Sequence, residues 1–276
     1  MHTQLDSESY AREIVRALAL RAEQQFGSKL SGVFMLGSLA HGGFAPDSSD
    51  IDVALVLHEV DAETRGEVAR LRDWAAANFD TPLAGRVSIF WSDLAHLETG
   101  AGQHMRLGAV DRADLLAFGV CMGGTDLSDR SALPTRDELV AEGAKFAVEK
   151  FTLEYVETPA EALISGGPRQ ATKYVLFPVR LLYTLHSGNI GLNEAAAQWY
   201  VSGKRAYFTL VQMAFEWRQR GSITGGEAID EIRKFGPSLY AELFHELGNE
   251  PAISSMMREV FAERASKIDA RGTMVS

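Results

Sequence analysis

"MLGSLAHGGFAPDSSDIDVALVL", residues 35–57, decides how the chain is read. An apolar run ends in Gly37 and Ser38. Twelve residues after Ser38 come Asp50, Ile51 and Asp52, and the chain then runs straight into Val-Ala-Leu-Val-Leu. Side chains alternate faces along a strand, so Asp50 and Asp52 are expected to point one way while Ile51, Val53, Leu55 and Leu57 face a core. Two like charges 4 Å apart at an effective dielectric near 20 cost about 4 kcal/mol, which a divalent cation removes. Magnesium suits such a place, because it takes one or two carboxylates and fills its shell with water and phosphate oxygens. Gly37 lets the backbone approach a phosphate, and Ser38 offers a hydroxyl and, at a helix start, free N–H groups. The stretch therefore reads as a metal–triphosphate site, with Asp50 and Asp52 on Mg²⁺ (or Mn²⁺) and Gly37 and Ser38 on the phosphates.

Around it the elements fall into two kinds. Residues 7–27 predict a helix capped by Ser7 or Ser9 and ended by Gly27, and "LSGVFMLGS" and "DIDVALVL" predict strands. A helix over "DAETRGEVARLRDWAAANF" and a strand over "GRVSIFWS" follow, and "LLAFGVCMGG" reads as a short strand or helix. From about Thr135 the pattern is helical throughout, with Pro178 inside one helix, where its missing donor predicts a kink. The expected organisation is a mixed α/β domain over residues 1–132 and an all-α helical-bundle domain over 133–276, with the boundary near "SDRSALPTR".

The 276 residues carry a net charge of −10, which argues against non-specific binding to nucleic acid or anionic membranes. No apolar run has the length of a membrane span, and early acidic residues (Asp6, Glu8, Glu13, Glu23) argue against a targeting peptide, so the cytoplasm is the expected location. The single cysteine, Cys121, excludes an internal disulfide and reads as a small buried hydrophobe. P-loop and α/β-hydrolase signatures are missing, and the histidines lack metal-ligand spacing.

Gly-Ser, a spacer and Asp-x-Asp resemble the signature of the nucleotidyltransferase superfamily, the fold shared by DNA polymerase β and the antibiotic-modifying adenylyltransferases. In the second half, "ATKYVLFPVRLLYTLHSGNIGLNEAAAQWYV" resembles the helical domain of the streptomycin/spectinomycin adenylyltransferases: a basic-apolar helix, a glycine turn, then an Ala-rich helix ending in Trp199. The resemblance implies an α/β nucleotidyltransferase domain with a small mixed sheet and a helical acceptor-binding domain. It implies transfer of a nucleoside monophosphate, AMP if the donor is ATP, to a hydroxyl of a small acceptor such as an aminoglycoside-like polycation. Lys173 and Arg180, two helical turns apart on one face, join Gly37 and Ser38 as candidates for nucleotide contact.

One departure stands out. The family places a third carboxylate on the next strand, where this chain has Arg86 or Ser88, depending on register. Both become candidates for nucleotide contact instead: Arg86 as a fixed cation, or as a strand-edge residue facing water. Substitute acids are sought at Asp93 and Glu98 past the strand, or at Glu142, Glu149 and Glu154 on the helix beyond; Glu142, Lys145 and Glu149 fit a solvated face. General-base help is worth roughly 10²–10⁴ in rate, so its loss weakens transfer without abolishing it. Two alternatives therefore stand beside the enzyme: a weakly active or inactive nucleotide-binding module, and a toxin–antitoxin-type nucleotidyltransferase acting on protein or tRNA.

Overall fold

In the computed structural model, which describes residues 6–223 and 225–275, the chain divides into two units, Met1–Pro134 and Thr135–Ser276. The first runs α1 (Ser7–Phe26), β1 (Leu30–Leu36), α2 (Gly37–His41), β2 (Ile51–Leu57), α3 (Thr64–Asn78), β3 (Val87–Asp93), α4 (Leu94–Thr99), α5 (Ala109–Phe118) and β4 (Val120–Gly124). The sheet is mixed, in the order β3-β2-β1-β4. β1 pairs antiparallel with β2 and with β4, and β2 pairs parallel with β3. The helix α3 supplies the crossover that a parallel pair requires.

Helix α1 is capped ahead of both predicted serines, one residue before Ser7: the Asp6 carboxylate accepts the Ser9 N–H at 2.8 Å. Ala11, Ile14, Val15, Leu18, Ala22 and Phe26 make its buried stripe. The ambiguous "LLAFGVCMGG" is both things at once, the end of α5 and then β4.

Both faces of the sheet are covered, which explains why β2 reads as a continuous apolar run. Ile51, Val53, Leu55 and Leu57 join Val33, Met35, Val87, Ile89 and the buried residues of α1 and α3 in one core. The opposite face, carrying Ala54 and Val56 with Phe34 and Leu36, packs on Leu97 of α4 and Leu115 of α5. By strand alternation, Asp52 belongs to this second face.

The second unit runs α6 (Arg136–Lys150), α7 (Leu153–Val156), α8 (Ala160–Ser165), α9 (Pro168–Ser187), α10 (Asn193–Ser202), α11 (Phe208–Arg220), α12 (Gly225–Gly248) and α13 (Ser255–Val275). It has its own core, in which Tyr174, Tyr200, Tyr240, Phe151, Phe244 and Phe261 are fully buried. Proline opens α9 at its first position after Gly167 (φ 84°), and Gly188 (φ 70°) closes it. Helix α9 continues past Pro178. The proline leaves the Tyr174 carbonyl without its helical donor, and the Tyr240 hydroxyl of α12 donates to that oxygen at 2.7 Å. Next to it, Gly236 gives Tyr174 its room: a Cβ there would sit 2.8 Å from the Tyr174 ring. Among the described residues, no helix is long and apolar enough to cross a membrane.

Candidate functional site

The Gly-Ser pair begins α2 directly at the end of β1, and Gly37 adopts φ 66°. Two causes require glycine there. The left-handed backbone disfavours any side chain, and a Cβ would run into the Asp52 carboxylate, which lies against the turn. Register brings this about: Leu36, the last residue of β1, is opposite Asp52 in β2. The fold thus brings together two of the sequence's candidates, Gly37 and Asp52. Asp50 directly precedes β2, and both aspartates are half-buried.

The loop from Gly42 to Asp50 is fastened at several points. The Ser38 hydroxyl donates to Ser49 Oγ at 2.9 Å, and Ser49 Oγ accepts the Ala45 N–H at 3.0 Å. The Ser48 and Ser49 amides both donate to the Ala45 carbonyl. From the far side, the Arg86 guanidinium donates to the Pro46 carbonyl. Arg86 thus holds this loop by its backbone. His41, at the end of α2, sits edge-on to Phe118 at 5.5 Å.

Parallel pairing sets Ser88 beside Asp52. Ser88 therefore holds the place on β3 next to the Asp-x-Asp strand, and no acid stands there. Of the substitutes sought in the sequence, Asp93 caps α4 by accepting the His96 N–H at 2.7 Å, and Glu98 is ion-paired with Arg130. Glu149 and Lys145 are exposed, as a solvated face requires.

The structure adds an acid that the sequence reading passed over. Asp114, on α5, is only 8% exposed, and its Oδ2 accepts the Gly37 N–H at 2.6 Å. It approaches from the sheet face that α5 covers, the face of Asp52. Helical periodicity alone would mark it as a buried carboxylate next to Leu115, which is the one signal the sequence offered.

Lys173 and Arg180 lie in the second unit on α9, flanking Phe177, with their cationic heads 5.7 and 5.8 Å from its ring centre. Arg180 also donates to the Gly191 carbonyl, fixing the turn after α9. Trp199, near the end of α10, has the Arg205 guanidinium 4.8 Å from its ring centre and Tyr183 and His186 around it. Arg205 in turn binds Glu242 at 2.6 Å and Glu246 at 2.7 Å. Burial first, and then its bond to Glu242, push the titration of the Tyr200 hydroxyl well above its ordinary range, against the opposing pull of Arg205.

Hard carboxylate oxygens at the head of β2 and a turn without a side chain suit a magnesium ion carrying a phosphate chain. Among the described residues, no group of three or more His, Cys, Asp or Glu side chains forms a metal cage.

No family model matches the chain, and no curated protein matches it. Among solved structures, the chain is similar to spectinomycin adenyltransferase AAD(9) from Enterococcus faecialis, crystallised with ATP and spectinomycin. The TM-score is 0.54 at 14% identity, covering 84% of this chain and 98% of that one. At that identity the likeness concerns architecture, and it matches what the elements show: the chain has the fold of that nucleotidyltransferase, an α/β domain with a small mixed sheet followed by a helical domain.

Proposed function

We propose that the protein is a nucleotidyltransferase that moves a nucleoside monophosphate, AMP from ATP, to a hydroxyl of a small acceptor. The observation that carries this reading is the seating of the Asp52 carboxylate against a side-chain-free, left-handed Gly37 at the mouth of a Gly-Ser turn. Asp50 and Asp52 would hold Mg²⁺ or Mn²⁺, and Gly37 and Ser38 the phosphate oxygens. When bound, the ion neutralises charge on the phosphates and templates the in-line geometry. The chain's residues orient the α-phosphorus. The acceptor oxygen forms a bond to it, the bond to the bridging oxygen breaks, pyrophosphate leaves, and the acceptor proton passes to solvent. Such transfer depends mostly on positioning and electrostatics, so Ser88 in place of an acid lowers the rate without removing the reaction. The acceptor-binding role falls to the helical domain, proposed to occupy residues 133–276. There Lys173 and Arg180 are the candidates for further contact with nucleotide, as Arg86 and Ser88 are in the first domain. The neighbour's ATP and spectinomycin make an adenylate donor and a polar small-molecule acceptor the first pair to try.

Ser88 beside Asp52 also favours a second reading, a module that binds nucleotide without turnover. One experiment separates the two. The protein is incubated with each nucleoside triphosphate, Mg²⁺ or Mn²⁺ and an aminoglycoside panel, and pyrophosphate is assayed beside Asp50→Asn and Asp52→Asn. Acceptor-dependent release that disappears in both variants is the expected result. Metal-dependent binding without release selects the module, and indifference to both aspartates refutes both readings.

A further inference from the structure

A carboxylate that is 8% exposed is expensive to bury and is kept only where something compensates it. For packing alone, an apolar side chain of the same volume at position 114 would serve as well or better. One oxygen of Asp114, Oδ2, accepts the Gly37 amide, at the residue whose turn also receives the Asp52 carboxylate. Two acids from different elements, β2 and α5, thus bracket one glycine. The 2.6 Å bond fixes the peptide entering Gly37, and with it the direction in which Ser38 leaves.

We propose that Asp114 is a positioning residue of the nucleotide site: by accepting the Gly37 N–H it holds the Gly-Ser turn in the conformation that grips the phosphates. This rests on the nucleotidyltransferase reading above. It also assigns the third acid of the site to a helix instead of the neighbouring strand, with a task different from general base. The Gly37 amide is then engaged by Asp114, and Gly37 serves the phosphates by the room its missing side chain leaves, beside the donors of Ser38.

The test measures binding of a non-hydrolysable ATP analogue with Mg²⁺ by calorimetry, on samples confirmed folded by thermal melting. It uses Asp114→Leu, which keeps the branched outline without an acceptor, and Asp114→Asn, which keeps a carbonyl acceptor without charge. Asp114→Leu is expected to bind about tenfold more weakly, the scale of one charge-assisted hydrogen bond, while Asp114→Asn stays within about threefold of wild type. Hydrogen exchange of the peptide spanning Gly37 is expected to speed up in the leucine variant and not in the asparagine variant. Wild-type affinity in Asp114→Leu overturns the proposal, and so does an equal loss in both variants, because the charge and not the hydrogen bond would then matter. If Asp114→Leu does not fold, Asp114→Ala replaces it with the same expectations. Asp52→Asn is the control: if it too binds normally, the nucleotide site itself is refuted, whereas its loss beside an unaffected Asp114→Leu refutes only the role of Asp114.

Discussion

Gly37 has two separate reasons to be glycine, and they act on different quantities. Its φ of 66° makes any substitution cost about 1–2 kcal/mol in backbone strain. A methyl there must also displace the Asp52 carboxylate, a shift confined to the site. Gly37→Ala is therefore expected to lower the melting temperature by several degrees, as about 1–2 kcal/mol does in a chain of this size. It should also abolish metal-dependent nucleotide binding altogether. Calorimetry and melting curves on the same sample check both effects. Alanine at Gly42, which also has positive φ (87°) but open space where a Cβ would go, should bring strain alone and leave binding in place.

At the scale of elements, α9 and α12 are joined by a repair. Pro178 removes the donor that the Tyr174 carbonyl would have used, and Tyr240 replaces it from a different helix. Tyr240→Phe should cost about 1–2 kcal/mol, the expense of stranding a buried carbonyl. In a Pro178→Ala background, where the helix regains its own N–H, the same change should cost at least about 0.5 kcal/mol less. Urea denaturation of the four proteins gives the coupling energy, and strict additivity would contradict the exchange. The example marks where sequence reading stopped. Pro178 announced a missing hydrogen bond, yet no local pattern named a tyrosine 66 residues from Tyr174 as the replacement. The strands of the site were legible because Gly-Ser and Asp-x-Asp bound two apolar runs. Asp114 was not, because helical periodicity reports burial and not which backbone group a buried carboxylate will meet. The α1 cap was missed by one residue, since Asp6, Ser7 and Ser9 are all capable acceptors and only the backbone decides among them.

Across the whole molecule, each unit closes on its own core, and in the helical one an ion pair between exposed Arg136 and buried Glu250 ties distant parts of the chain. Arg136, at the start of α6, grips both oxygens of Glu250 at 3.1 and 2.7 Å and donates to the Leu185 carbonyl near the end of α9. The hydrogen bond from Arg136 holds the Glu250 carboxyl below its ordinary value of 4.5. A carboxyl lowered in the folded state adds stability that is present above its unfolded value and is lost as pH falls through the folded one. Wild type and Glu250→Gln should differ most in melting temperature near neutrality and converge between about pH 5 and about pH 3. A constant gap across that range would place the effect in packing. The Gly37–Asp114 bond joins positions 77 residues apart, so its partners leave the ribosome at different times. The nascent chain holds its glycine-serine bend and both strand aspartates long before the helix that braces them is translated. Fragments ending ahead of α5 would keep the whole recognisable signature and still lack the brace, so a motif search would accept them as complete while a ligand would not.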